Sequence, residues 1–212
     1  MIANDHTLHK ANIVFLFADS EPFIENEDMM RLIAGPDAKG ANFVDDPVIG
    51  TKLLSIPSKG LSAIWEGRRL RIEDTFGREP AADGNMFPQD ALAMLHTLIA
   101  GKHARLTGYG FNFDTYYRVP NVVRVQEHFN HLVSQPLNIG DSIMDFGWQW
   151  SSTAKDGKEL NGYFLKVVAP LEVAMHHNTQ LNTNEVPSPA ELSKKYTGAY
   201  EAGHILFSAL DI

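Results

Sequence analysis

Between Arg105 and Tyr117 the chain alternates with period two. Thr107, Tyr109, Phe111, Phe113, Thr115 and Tyr117 fall on one side, and Leu106, Gly108, Gly110, Asn112, Asp114 and Tyr116 on the other. This spacing predicts a strand with an aromatic face that needs a core. Its other face is small and polar, and the glycines there would admit a close neighbour. Earlier in the chain, Ile13–Phe17 is a continuous apolar run that suits a strand buried on both faces. Residues 1–10 before it read as a mobile terminus. Thr51–Ile56 predicts a further strand.

Two hairpins carry a pattern that can be tested for register. Leu61–Trp65 and Arg68–Ile72 flank Glu66-Gly67, a suitable two-residue turn. Position 65 then faces 68, 63 faces 70 and 61 faces 72, with Leu61, Ala63, Trp65, Leu70 and Ile72 on one face. Around the tip Lys155–Lys158, a second register opposes Trp150 to Tyr163, Trp148 to Leu165, Phe146 to Val167 and Met144 to Ala169. Every apolar residue of that ladder meets another.

Helical periodicity appears in four places. Asn26 caps a short run through Met29, Met30, Leu32 and Ile33. Pro88 opens a helix with Leu92, Leu95, Leu98 and Ile99 on one side, ended by Gly101. A third starts near Asn121, with Val122, Val125, Phe129 and Leu132 as its stripe. The fourth begins at the capping box Ser188-Pro-Ala-Glu191 and continues through Leu192, Tyr196, Ala199, Gly203, Leu206 and Leu210. No repeat at a fixed period is visible. Together these elements predict one α+β domain over residues 1–212. It is a two-layer sandwich, a curved and mainly antiparallel sheet with about four helices packed on its aromatic face.

Composition narrows the function classes. The chain has 212 residues and no cysteine, which removes disulfides, thiolate catalysis and cysteine-ligated metal centres. A net charge of -8 argues against a nucleic-acid footprint. No apolar stretch approaches the ~20 residues of a membrane-spanning helix, and the N-terminus lacks a signal-peptide pattern. A cytoplasmic location is the expectation.

Candidate chemistry is sparse. Asp114, beside Asn112 on the small face, is a candidate general base if that face lines a cleft, but it needs a histidine partner that the sequence does not fix. His128 and His131 share a predicted helix face, and His176 and His177 point to opposite sides of a strand. Neither pair makes a metal site, and no cofactor is implied. Arg68, Arg69 and Arg71 read as a charged β-face, with Arg68 over Trp65. Ser152-Thr-Ala-Lys155 has the S-x-x-K spacing but lies at a hairpin tip, and phosphate-loop and nucleophile-elbow motifs are missing.

The sequence therefore points to a non-catalytic protein that acts through assembly, with itself or with a protein partner. The Gly108/Gly110 face and the Leu192–Leu210 stripe are the surfaces suited to close apposition. A second reading is a cavity between sheet and helices for an apolar or aromatic small molecule. Tyr109, Phe113, Asn112, Trp148 and Trp150 would line it, with Tyr117 or His96 as polar contacts. A third is an enzyme built on Asp114 and a nearby histidine.

Overall fold

The structure is a computed structural model and describes residues 5–19, 40–100, 104–120, 147–169 and 171–210. Among these residues nine strands form one sheet: β1 (His6–Phe17), β2 (Asn42–Asp46), β3 (Thr51–Ile56), β4 (Leu61–Glu66), β5 (Arg69–Asp74), β6 (Leu106–Arg118), β7 (Gly147–Thr153), β8 (Glu159–Ala169) and β9 (Glu172–Asn182). Their order is β2-β3-β4-β5-β1-β6-β9-β8-β7, with every neighbouring pair antiparallel. Two helices are described, α1 (Phe87–Ile99) and α2 (Pro189–Ala209). The expected α+β class is observed, but the expected four helices are not: two are seen among the described residues. The helical segments expected from Asn26 and from Asn121 lie outside those residues.

The aromatic side of β6 faces α2. Tyr109, Phe111, Phe113 and Tyr117 are buried, and the Phe111 and Phe113 rings meet Tyr196 with centroids 5.6 and 5.1 Å apart. The capping box forms as its residues dictate, with Ser188 Oγ accepting from Glu191 N at 3.3 Å. The buried stripe of α2 is Leu192, Tyr196, Tyr200, Gly203 and Phe207. Tyr200 and Phe207 thus join the expected Leu192, Tyr196 and Gly203 because their rings have more area to bury, while Ala199 and Leu210 pack half-buried against the core. Gly203 lets the helix settle on the sheet, since a Cβ there would stand 2.8 Å from His177 Nδ1.

Chain entry differs from the sequence expectation. β1 begins at His6, inside the stretch read as a terminus, and its register on β6 shifts between Leu8 and Lys10. This bulge has a directional consequence. Ala11, Ile13 and Phe15 face the helices by odd numbering, and the extra residue brings His6 and Leu8 to the same side.

The first hairpin also departs from the expected register. Trp65 pairs with Leu70, Ala63 with Ile72 and Leu61 with Asp74, so the turn is Gly67-Arg68. Arg68 is an exposed turn residue and not part of the ladder opposite Trp65. A shift of two residues preserves the faces, and Leu61, Ala63, Trp65, Leu70 and Ile72 are all buried as expected. The second hairpin has the expected pairs Trp150–Tyr163 and Trp148–Leu165, closed by a longer loop in which Ala154 N donates to Glu159 O at 2.9 Å. The pairs proposed for Phe146 and Met144 lie outside the described residues.

The topology repeats although the sequence shows no period. Reading outward from the centre, β1-β5-β4-β3 matches β6-β9-β8-β7, and each half ends in a helix on the same face. Asn12 pairs with Asn112 at the centre, flanked symmetrically by Ala11–Phe113 and Ile13–Phe111. A row of small or polar residues then crosses the outer face: Ser55, Ser62, Glu73, Asn12, Asn112, Asn178, Gly162 and Ser151. That row fixes which residues correspond between the halves. Leu61 matches Asn161, Ala63 matches Tyr163, Ile72 matches His177 and Asp74 matches Thr179.

Candidate functional site

The correspondence shows where the halves diverge. Helix-facing positions of β4 and β5 carry Leu61, Ala63 and Ile72, whereas the matching positions of β8 and β9 carry Asn161, Tyr163 and His177. A polar set cannot close against a helix as an aliphatic one does, since each polar group needs a partner. Between α1 and the first half, among the described residues, lies a small space of about 70 Å³, lined by Ile56, Leu61, Ala93 and Met94 together with Lys59, Asp90 and Thr97. Between α2 and the second half there is a cleft of about 290 Å³.

Its floor is formed by two neighbouring rows of the sheet, Asn161–Thr179–Phe111 and Glu159–Leu181, with Tyr163 at one end. Lys195, Gly198, Ala199 and Ala202 of α2 form the opposite wall. The wall is small-sided: a Cβ added at Gly198 would meet nothing within 4 Å. Lys195 at the rim bridges Glu191 Oε1 at 2.9 Å and the Tyr109 hydroxyl at 3.1 Å. Partial burial opposes its charge, but those two bonds outweigh that effect and raise its pKa. The cation is thus held in place.

A hydrogen-bond chain runs along the floor. Thr179 Oγ1 donates to Asn161 Oδ1 at 2.7 Å, and Asn161 Nδ2 donates to Glu159 Oε1 at 2.9 Å. The threonine hydroxyl has one proton, so at 3.1 Å from His177 Nε2 its oxygen accepts from that ring. His177 therefore carries its proton on Nε2 and leaves Nδ1 bare against Gly203, where Nδ1 is buried and unpartnered. Burial, with smaller contributions from His176 and His204, lowers the His177 pKa to about 4. At neutral pH the ring is uncharged. It also lies in a stack across three strands, 4.6 Å from Tyr163, which in turn lies 5.3 Å from Trp150.

None of the residues expected to line a ligand cavity lines this cleft. Tyr109 contributes indirectly by holding Lys195. Phe113 is in the core between Tyr196 and Tyr200. Trp148 and Trp150 are half-buried beside the second core cluster of Tyr117, Leu165, Met175 and Phe207. His96 is on the exposed side of α1. Asn112 is on the opposite side of the sheet from Tyr109 and Phe113, as strand alternation requires, and bonds to Asn12 and Asn178.

Asp114 does gain a histidine. Its Oδ1 lies 2.7 Å from His176 Nδ1, across the β6–β9 ladder and on the outer face. Both side chains are more than a third exposed, and neither described cavity includes them. On the basic strand face Glu73 Oε1 forms ion pairs, 3.0 Å from Arg71 Nε and 2.9 Å from Lys10 Nζ. His128 and His131 lie outside the described residues.

Asn161, Thr179, Glu159 and Lys195 were not singled out from sequence. The signal was present in the helix-facing parity of β8 and β9, where polar residues replace the aliphatics that strand alternation demands elsewhere. No protein-family model matches the chain, and no curated protein matches it. Among the described residues no helix is long and apolar enough to cross a membrane.

Proposed function

We propose that the protein binds a small organic molecule in the cleft beneath α2. The observation that carries this reading is the contrast between the halves among the described residues: Leu61, Ala63 and Ile72 on one side leave a space of about 70 Å³, and their counterparts Asn161, Tyr163 and His177 accompany a hydrogen-bonding space of about 290 Å³. That volume is near the lower end of the ~300–1,000 Å³ common for ligand sites. Phe111, Leu181 and Tyr163 offer flat or apolar contact, while Asn161, Thr179 and Glu159 offer hydrogen bonds. The fitting ligand is a compact molecule with one planar apolar part and a polar edge bearing both donors and acceptors. This is more polar than the apolar or aromatic ligand expected from sequence.

Assembly receives less support, because the glycines that suggested it are accounted for within the chain. A Cβ at Gly110 would stand 2.5 Å from Thr179 O, and one at Gly108 would stand 2.7 Å from Leu181 O. Close approach of β9 to β6 requires them, without any outside partner. The enzymatic reading has its Asp114–His176 pair, but both side chains are more than a third exposed and neither described cavity includes them. The deciding experiment is a ligand screen by tryptophan fluorescence and thermal shift on the full chain, repeated with Asn161→Leu and Thr179→Val. Hits that lose binding in these variants support the cleft, and hits that ignore both variants argue against it.

A further inference from the structure

A separate cluster lies further along α2, at His204, where three elements converge on one point. His6 comes from β1, Glu79 from the segment between β5 and α1, and His204 from α2. One ligand-capable atom from each lies within 4.8 Å of the other two. We propose that His6, Glu79 and His204 form a binding site for a divalent transition cation of the zinc type.

The donor set fits that class. Two imidazoles and one carboxylate are a recurrent three-ligand arrangement for zinc and other first-row divalent ions, leaving a position open for water or substrate. An all-oxygen set, preferred by magnesium and calcium, is not what converges here. Metal–ligand bonds of about 2.0–2.2 Å would draw the three atoms closer by roughly 1 Å, within the reach of side-chain rotation.

Each ligand is placed by a distinct feature of the fold. The β1 bulge between Leu8 and Lys10 brings His6 to the helix side. Without it, His6 would point to the outer face. Glu79 follows Arg78, whose guanidinium clamps the buried Asp74 carboxylate with Nε–O distances of 3.0 and 3.1 Å. Pro80, the next residue, accepts from Thr197 Oγ1 of α2 at 3.1 Å. The backbone that carries Glu79 is therefore anchored on both sides. His204 has its Nδ1 2.7 Å from the Tyr117 hydroxyl. When Nδ1 donates to that oxygen, the lone pair falls on Nε2, the orientation that metal-bound histidines generally receive from a neighbouring group.

The same ring atoms lack other work. His204 Nε2 and His6 Nδ1 are both buried without a hydrogen-bond partner, although the rings are only 4.2 Å apart by centroid. Two adjacent imidazoles with idle nitrogens next to a carboxylate are costly as structure alone. A bridging cation would satisfy all three.

The test is calorimetric titration of Zn²⁺ into tag-free full-length protein, with Mg²⁺ as the contrasting ion and Co²⁺ absorption as a readout of coordination. One equivalent of Zn²⁺ should bind, Mg²⁺ should not compete, and Co²⁺ should give the intense visible bands of a four- or five-coordinate site. Glu79→Gln, which keeps the side-chain shape, should weaken Zn²⁺ at least tenfold, and His6→Gln and His204→Gln should do the same. His9→Ala, on an exposed neighbouring position, should leave it unchanged. Absence of Zn²⁺ binding would overturn the proposal. So would binding that survives Glu79→Gln and His6→Gln in variants whose melting transitions match the parent protein.

Discussion

Asn112 donates its side-chain amide to Asn12 Oδ1 at 2.7 Å, across the central β1–β6 pair and at the point about which the two halves repeat. Asn112 Oδ1 also accepts from Asn178 Nδ2, so a single side chain ties together β1, β6 and β9. Asn12 and Asn112 are 5% and 7% exposed, too little for water to replace these bonds freely.

Asn112→Ala should therefore destabilise the fold by about 2–3 kcal/mol, because it strands a partner on either side. Asn12→Ala should cost less, and the double variant should cost less than the sum of the two. Urea unfolding of the three variants gives the comparison. Additive losses would show that the two amides are not coupled.

At the seam between β6 and β9, Gly110→Ala should be damaging. The new methyl would stand 2.5 Å from Thr179 O, and that oxygen belongs to the backbone of a central strand. A loss of about 1–3 kcal/mol is expected, as for overpacking elsewhere. Gly198→Ala, with open space around it, should be neutral or slightly stabilising through helix propensity. Melting temperatures of the pair test whether the glycines serve packing within the chain.

Acid should weaken the protein through His177. Its folded-state pKa is lowered to about 4 from the ordinary 6.5, so the folded state resists a proton that the unfolded state accepts. The associated stability is fully present above pH 6.5 and is lost as pH falls towards 4, amounting to about 3 kcal/mol. The groups acting on this ring are His176 beside it, His204 across from it and Tyr163 stacked on it. His177→Phe keeps the stack and cannot titrate. Denaturant midpoints from pH 7 to pH 4 should fall less steeply in that variant.

Arg78→Ala should cost about 3–5 kcal/mol by leaving the fully buried Asp74 side chain without its counter-charge. Asp74→Asn combined with Arg78→Ala should recover part of that loss. Chemical denaturation of both forms distinguishes a buried ion pair from a dispensable surface contact.

Much of the sheet was readable in the chain because strand parity is a strong constraint. The aromatic side of β6, the faces of both hairpins and the register of β7 on β8 all follow from which residues cannot face water. The turn at Gly67-Arg68 was misplaced by one residue and the pairing by two, since a two-residue slip leaves the faces intact and hydrophobic pattern cannot detect it. β1 was cut short at Ile13 because His6–Lys10 is polar and contains a bulge, which breaks alternation where His6 is re-aimed. The repeat was hidden because the halves share hydrogen-bond register but not side chains: Leu61 stands where the other half has Asn161, and Ile72 where it has His177. The cleft escaped for a related reason. Polar residues carry no hydrophobic signal of which side is buried, and it is parity with Leu165 and Met175 that puts Asn161 and Thr179 under α2.

The most direct measurement is a ligand-observed fragment screen on the full-length protein, followed by affinity measurement with Thr179→Val and Asn161→Leu. Compact fragments with a planar apolar part and a donor–acceptor edge are expected to bind. Their affinity should fall at least tenfold in each variant, from the loss of one or more hydrogen bonds at the cleft floor. Fragments that bind the folded variants as tightly as the parent protein, or no fragment binding at all, would contradict a ligand site beneath α2.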